Sequence, residues 1–237
     1  IIGVGGDHIA RAKDLFRAMT AAGLRKRWIC QATINMADDE ELLALARQAG
    51  RLNTHTRYLH ERIVEYAERL VGLLPDGLDV CMFTCTGTEA NDLALRMARA
   101  VSGHAGAVTL ADAYHGHSVA VFPLSTEDCP EAERPPWVAV APAPDEYRAG
   151  AQDRREAFAA ERGAAVAGAA AALADRGHGA ALFVCDSAFS SNGVLTPPPA
   201  YLQTAFHGIR EAGGLAVADE VQAGLWRFCE RAWGFEV

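Results

Sequence analysis

The chain has 237 residues, and 50% of them are hydrophobic, which suits one large or two small domains with a buried core. The formal net charge of −8 and the lack of a dense lysine or arginine run argue against a nucleic-acid surface and a polybasic membrane patch. Small molecules are therefore the expected partners.

The cysteines and the lack of a targeting signal predict where the protein works. No Cys-x-x-Cys pair occurs, and three of the six cysteines lie in or beside apolar runs, as buried thiols of a reducing compartment do. No signal peptide is visible, and the alanine-rich run 164–174 contains glycine and is too short to span a bilayer. We therefore expect a cytoplasmic protein. The cysteines are Cys30, Cys81, Cys85, Cys129, Cys185 and Cys229.

The first fifty residues predict a βαβα unit of their own. IIGVGGDHI fits a strand and a turn, and ARAKDLFRAM fits a helix. RKRWICQATIN fits a second strand. DDEELLALARQAG fits a second helix, with acidic residues in its first turn, where the helix dipole favours them.

Downstream of Leu78, short apolar stretches alternate with helical patterns, which is typical of βα units around a mostly parallel sheet. The chain is therefore predicted to be an α/β protein. Proline-rich stretches mark loops within one domain. Strands are predicted at 80–84, 107–111, 137–141, 180–185 and 215–219. Helices are predicted at 59–73, 89–101, 151–175 with a break, and 199–212.

The segment CTGTEAND, residues 85–92, lies where a predicted strand meets a predicted helix. A helix begins with unpaired N–H groups and the positive end of its dipole, so a phosphate gains hydrogen bonds and a favourable field there. Gly87 leaves room for the approach, and the hydroxyls of Thr86 and Thr88 add donors. The same residues also fit an ordinary helix cap, in which a threonine satisfies the first turn. This motif alone leaves both interpretations open.

The segment DAYHGHS, residues 112–118, follows the next predicted strand. In an open α/β sheet the loops after the strand ends converge on one ligand crevice, where an aromatic residue can stack on a flat ring. Tyr114 is the candidate for this contact, with His115 beside it. The alternatives are a capped turn, or a metal site of Asp112, His115 and His117 that lacks a clear fourth ligand.

The segment ADEVQ, residues 218–222, ends the last predicted strand. A carboxylate that points from this strand end into the crevice needs a cationic partner, and a protonated pyridine nitrogen would serve. Asp219 is that carboxylate, and Gln222 could hydrogen-bond a ring hydroxyl. The alternatives for Asp219 are a helix-capping acid or a magnesium ligand of the kind found in nucleotide hydrolases. No GxxxxGK[ST] motif occurs to support the hydrolase alternative.

In this order, TGTEAND, YHGH and ADEVQAG together resemble the class III (subgroup II) aminotransferases, which are pyridoxal 5′-phosphate enzymes of fold type I. The resemblance runs from about Arg51 to the end of the chain. LNTHTRYLHERIVEYAERL is most similar to the branch with ethanolamine-phosphate phospho-lyase and related phospho-lyases. The resemblance implies that residues 51–237 are part of the large cofactor-binding domain, a mostly parallel sheet sandwiched by helices.

The resemblance also implies roles for single residues in binding the cofactor. The turn Thr86–Thr88 matches the loop that binds its phosphate, and Tyr114 matches the aromatic residue that stacks on its ring, next to His115. Asp219 matches the acid that pairs with the pyridine nitrogen, and Gln222 matches the residue near the phenolic oxygen.

Two positions depart from the family pattern. Cys85 and Thr86 stand where the family usually has serine or asparagine at the start of the phosphate loop. Asp186, in CDSAFSSNGV, stands where glutamate is more common, and its shorter side chain changes its reach toward the cofactor or the substrate.

The family's chemistry implies an amino group transferred between an amine or amino acid and a keto acid. A phospho-lyase, which expels phosphate from a phosphorylated amine such as phosphoethanolamine, shares the first steps and is the alternative. The family also implies a homodimer. Neither a nucleic acid nor a membrane is expected as a partner.

The lysine that holds the cofactor as a Schiff base in this family is expected to be absent. Only Lys13 and Lys26 occur, both far upstream of the phosphate loop, and the family position falls beyond Val237. We therefore expect the central part of a large domain that is truncated and inactive alone. A fragment without catalytic function is a further alternative.

The first fifty residues resemble a different family. GDHIARAKDLFRAM, RKRWICQATIN and DDEELLALARQAG are similar to the second half of a radical SAM barrel. Its iron–sulfur ligands are not found, because Cys81-x3-Cys85 is followed by Thr88 where a third cysteine is needed. We expect a fusion near Gly50 that joins a segment 1–50 to the part 51–237, and a divergent N-terminal extension is the alternative.

Overall fold

The computed structural model describes residues 61–228 and 231–236. The βαβα unit predicted for 1–50, both lysines and the start of the predicted helix 59–73 lie outside the described residues. Residue contacts divide the chain after Tyr66. Of the first unit the structure describes only Glu61–Tyr66, which belong to helix α1 (Glu61–Val71).

The second unit, from Ala67 onward, alternates strands and helices. Three helices and four strands follow α1, and short 3-10 turns lie at Phe122–Leu124, Glu131–Glu133, Gln152–Arg154 and Gly234–Glu236. The elements are α2 (Gly87–Ser102), β1 (Gly106–Leu110), β2 (Val138–Ala141), α3 (Arg155–Asp175), β3 (Ala180–Asp186), α4 (Ala200–Glu211) and β4 (Leu215–Asp219).

The four strands form one parallel sheet in the order β2-β1-β3-β4. The chain leaves β1 toward β2 on one side, and it leaves β3 toward β4 on the other. Connections that diverge in this way open a crevice at the carboxyl ends of the two strands between them. The topology therefore places a ligand crevice after β1 and β3.

Alternate residues of the strands enter two separate cores, one on each face of the sheet. Val108 and Phe183 pack on one face with the buried residues of α3 and α4. Ala107 and Leu182 pack on the other face with Leu95 of α2. Because the two central strands, β1 and β3, are covered on both faces, their side chains are almost all buried, as expected for a parallel sheet between helices.

Helices α3 and α4 pack closely through small residues. A Cβ atom on Gly163 would lie 2.6 Å from the carbonyl oxygen of Tyr201, so glycine is needed at this crossing. The stretch Gln152–Asp175 is long and apolar enough to span a membrane by length and composition alone. Its buried stripe, which includes Ala159, Val166 and Leu173, packs in the core on one face of the sheet.

The strands and helices predicted from Glu89 onward are confirmed with boundary shifts of up to a few residues. The break predicted within 151–175 is a 3-10 turn at Gln152–Arg154, and α3 continues unbroken after it.

The strand predicted at 80–84 is wrong. The segment carries no strand, and no described strand pairs with it. Val80 is 78% exposed and Met82 is 59% exposed, and an apolar run forms a strand only where a partner supplies backbone hydrogen bonds. The four cysteines of the described segments are free thiols.

Candidate functional site

One cleft of about 220 Å³ lies where the topology places the crevice, at the carboxyl ends of β1, β3 and β4 and beside the first turn of α2. It brings together all the residues predicted for the cofactor site, and Asp186 with them. The lining residues are Thr86, Gly87, Thr88, Asn91, Tyr114, His115, Gly116, Asp186, Ser190, Ser191, Asp219, Val221 and Gln222.

The first turn of α2 combines a helix cap with free amides. Thr86 is the N-cap residue, and its Oγ1 accepts a hydrogen bond from the Glu89 amide at 3.1 Å, so the capping interpretation is confirmed. The Glu89 carboxylate in turn accepts from the Cys85 amide at 2.7 Å. The amides of Gly87 and Thr88 have no acceptor within the described part of the chain. An anion could therefore bind these amides without displacing the cap.

Two glycines allow the segments around the cleft to come together. Gly116 has a φ of 130°, and a Cβ atom there would lie 2.4 Å from Oγ1 of Thr88. A Cβ atom on Gly87 would lie 2.6 Å from a methyl carbon of Val221. The loop after β1, the turn after β4 and the start of α2 thus meet at distances that only glycine permits.

Asp219 ends β4 as a buried carboxylate with three donors around it. Its Oδ2 accepts from Nδ1 of His115 at 2.9 Å and from Nδ2 of Asn91 at 2.8 Å, and its Oδ1 accepts from the Val221 amide at 3.1 Å. Burial acts to raise the pKa of Asp219. This effect is outweighed by the hydrogen bond and the charge of His115 and by the hydrogen bonds from Asn91 and Val221, so the pKa of Asp219 lies below its usual value. The structure therefore maintains a negative charge at this end of the cleft.

Glu220, the next acid in the sequence, turns away from Asp219. Its two carboxylate oxygens accept from the amides of Gly234 at 2.8 Å and Phe235 at 3.0 Å. The two acids therefore have separate roles, and a shared magnesium site at the end of β4 is not formed. Within residues 61–228 and 231–236, no group of three histidine, cysteine or acidic side chains could hold a metal.

His115 is buried against Asp219. Its backbone amide donates to Oγ of Ser125 at 2.8 Å, which fixes the loop after β1. A carboxylate only accepts hydrogen bonds, so Nδ1 of His115 carries the hydrogen that it shares with Asp219. Its Nε2 is buried and has no hydrogen-bond partner among the described residues.

Tyr114 presents its ring at the mouth of the cleft, where it is 37% exposed. The exposed ring of His117 contacts the Tyr114 ring edge-on, with 5.1 Å between the ring centroids. The same histidine ring stacks on Phe122, with 6.4 Å between the centroids. His115 and His117 thus contact different partners, and the metal site considered for them with Asp112 is not formed.

Asp186 lies beside Asp219 in the register of β3 and β4, but its carboxylate bonds to different partners. It accepts from the amides of Ala188 at 2.9 Å and Ser190 at 2.8 Å, and from the Ser190 hydroxyl. These bonds organise the loop that brings Ser190 and Ser191 to the cleft. Asp186 therefore shapes this wall of the cleft.

The sequence did not single out five lining residues: Asn91, Gly116, Ser190, Ser191 and Val221. Asn91 follows Gly87 by four positions on α2, and this one-turn spacing places both on the same helix face, so the spacing was a usable signal. Val221 lies between Asp219 and Gln222, and its contact with Gly87 depends on tertiary structure. No local pattern identifies the two serines.

The chain belongs to the class III aminotransferases, whose family model matches residues 31–233. An alanine–glyoxylate aminotransferase 2-like protein of Drosophila melanogaster is 36% identical over 212 residues, which cover 86% of this chain and 43% of that protein. An ethanolamine-phosphate phospho-lyase homolog of Caenorhabditis elegans is 30% identical over 206 residues, which cover 82% of this chain and 44% of that protein.

Solved structures show the same fold. A phospholyase from Arthrobacter in complex with phosphoethanolamine superposes with a TM-score of 0.75 at 34% identity, over 86% of this chain and 47% of that one. An (S)-enantioselective omega-transaminase from Thermomicrobium roseum superposes with a TM-score of 0.69 at 26% identity, over 91% of this chain and 49% of that one. The chain thus spans about half the length of the relatives it matches. The fold is that of the fold-type I pyridoxal 5′-phosphate enzymes.

The cleft fits the cofactor of this family. Two amides at the start of α2 lack acceptors within the described residues and suit its phosphate, and the ionised Asp219 suits a protonated pyridine nitrogen. The exposed ring of Tyr114 suits the flat heterocycle.

Proposed function

We propose that this chain is the cofactor-binding part of a pyridoxal 5′-phosphate-dependent aminotransferase, which transfers an amino group between an amine or amino acid and a keto acid. One observation carries the proposal. The free amides of the first turn of α2 and the ionised carboxylate of Asp219 line the same cleft, as the two ends of this cofactor require.

Different residues of the cleft would bind different parts of the cofactor. The amides of Gly87 and Thr88, with the hydroxyl of Thr86, would hold the phosphate. Tyr114 would stack on the ring, and Asp219 would keep a proton on the pyridine nitrogen. Once bound, pyridoxal 5′-phosphate withdraws electrons from the carbon that carries the substrate's amino group. Gln222 would donate to an oxygen on the ring.

Titration of the chain with pyridoxal 5′-phosphate and with pyridoxal, followed by calorimetry, tests this proposal. We expect the phosphorylated compound to bind at least about ten-fold more tightly, because the amides of α2 recognise the phosphate. Thr86→Val should weaken binding of the phosphorylated compound, whereas the matched variant Thr86→Ser keeps the hydroxyl and should bind like the wild type. Equal affinity for the two compounds would contradict the proposal.

We further propose that the cofactor binds this chain without a covalent bond. Residues 61–228 and 231–236 contain no lysine, so none of them can form the Schiff base used by the family. Borohydride reduction after addition of the cofactor, followed by mass spectrometry, should leave no specific adduct. A stoichiometric adduct on Lys13 or Lys26 would overturn this proposal and would identify the missing lysine.

A phospho-lyase acting on phosphoethanolamine or a similar phosphorylated amine is the second candidate. The relative from Caenorhabditis elegans and the Arthrobacter structure, at 30% and 34% identity, favour it. Incubation with cofactor and phosphoethanolamine would release inorganic phosphate in a phospho-lyase, whereas an aminotransferase would form a keto acid from L-alanine. Neither product should appear if the chain is inactive on its own.

We also propose that the protein acts as a homodimer in the cytoplasm, with small-molecule amines and keto acids as its partners. The family resemblance supports the dimer, and the free cysteines support the compartment. Sedimentation equilibrium would test the dimer, and a single species with the 25.3 kDa mass of one chain would contradict it.

A further inference from the structure

Asn91 joins three elements that meet at the cleft. It lies on α2, and its single amide nitrogen donates two hydrogen bonds. One goes to the carbonyl oxygen of His115, in the loop after β1, at 2.9 Å, and the other goes to Oδ2 of Asp219, at the end of β4, at 2.8 Å. Both hydrogens of the amide nitrogen are therefore used.

We infer that Asn91 is a positioning residue, which holds the Asp219 carboxylate and the His115 loop at a fixed place relative to the first turn of α2. This inference rests on the proposed function. A ligand with a phosphate at one end and a protonated ring nitrogen at the other needs its two anchors at a fixed separation. Asn91 links those anchors directly, because it lies one turn after the amides of Gly87 and Thr88.

No other described hydrogen bond joins the Asp219 carboxylate to α2. His115 also holds Oδ2 of Asp219, but it belongs to the loop after β1, and the Val221 amide belongs to the turn that follows Asp219 itself. Asn91 alone among these donors belongs to α2. Without it, the carboxylate keeps two donors but loses its direct bond to the helix that would carry the phosphate.

The first test needs no cofactor. The pKa of Asp219 is measured in the free protein by NMR of its side-chain carboxyl carbon, in the wild type and in Asn91→Ala. Loss of a donor to the charged form should raise that pKa. Asp92→Ala is the matched control, since Asp92 is the next residue of α2 and accepts from Ser118 at 2.8 Å without touching Asp219. An Asp219 pKa unchanged in Asn91→Ala, or raised as much in Asp92→Ala, would overturn the inference.

The second test measures binding of pyridoxal 5′-phosphate and of its carbocyclic analogue, in which a C–H group replaces the ring nitrogen. Asn91→Ala should weaken binding of the cofactor by about ten-fold and leave the analogue nearly unaffected, since the analogue makes no bond to Asp219. An equal loss for both ligands would show a merely structural role and overturn the inference. If the wild type binds neither ligand, the proposed function fails, and the inference fails with it.

Discussion

Asp219→Asn is the substitution whose effect on folding follows most directly from the contacts of the cleft. All three partners of this side chain are donors: Nδ1 of His115, Nδ2 of Asn91 and the Val221 amide. Asparagine has one acceptor end and one donor end. In either orientation of the new amide, its NH2 group faces at least one N–H donor in a site where Asp219 is 8% exposed.

The expected loss follows from these bonds. A hydrogen bond to a charged group contributes about 1.5–3 kcal/mol, and an unpaired buried donor costs about 1–3 kcal/mol. Removing the buried charge offsets part of this, because the carboxylate no longer has to be desolvated. We therefore expect Asp219→Asn to lower the free energy of unfolding by about 2 kcal/mol.

Urea unfolding at neutral pH measures this change, and the slope with denaturant should stay constant while the midpoint falls. Asp92→Asn is the control, because its partner is the Ser118 hydroxyl, which can rotate and donate to an amide oxygen. The control should change stability by less than about 0.5 kcal/mol. Equal stability of Asp219→Asn and the wild type, or an equal loss in the control, would refute the reasoning.

Three further predictions concern pH, helix packing and the loop after β1. Because the pKa of Asp219 is lowered by folding, its contribution to stability is complete above the unfolded-state pKa of about 3.9 and is lost as the pH falls through the folded-state value. Acid unfolding curves of the wild type and Asp219→Asn should therefore converge below about pH 4, and a constant gap would be contrary evidence. In α3, Gly163→Ala should lower the melting temperature, since its Cβ would meet the backbone of α4 at 2.6 Å. A Cβ atom on Gly168 would have no neighbouring atom within 4 Å, so Gly168→Ala should raise stability by up to about 1 kcal/mol. A calorimetric melting temperature that shifts in the same direction in both variants would be inconsistent with this packing. Gly116→Ala should weaken cofactor binding in the calorimetric titration, because its Cβ would meet Oγ1 of Thr88 at 2.4 Å; unchanged affinity would count against the close approach.

The sequence predicts the location of the site well, because that location follows from topology. DAYHGHS and ADEVQ follow β1 and β4, and in a parallel sheet the loops after the strand ends share one edge. Knowing the order of the elements was therefore enough to place Tyr114 and Asp219 around one crevice, whereas Thr86 lies there without the strand on which its predicted position depended. No distance had to be known.

The contacts inside the cleft could not be predicted in the same way. The bond from Asn91 to Asp219 joins residues 128 positions apart, and that from His115 to Asp219 spans 104 positions. Such bonds depend on how α2 and the loop after β1 pack on β4, which no local pattern encodes. The wrong strand at 80–84 has a related cause, because pairing requires a partner that an apolar run does not specify.

The protonation state of the bound ring nitrogen shows whether Asp219 pairs with the cofactor in this cleft. Nitrogen-15 NMR of ring-labelled pyridoxal 5′-phosphate, bound to the wild type and to Asp219→Asn, reports this state, and phosphorus-31 NMR of the same samples reports the phosphate. We expect a protonated nitrogen in the wild type, an unprotonated one in Asp219→Asn, and the same phosphate signal in both. An unprotonated nitrogen in the wild type, or the same nitrogen signal in the wild type and Asp219→Asn, would contradict the pairing of Asp219 with the ring nitrogen.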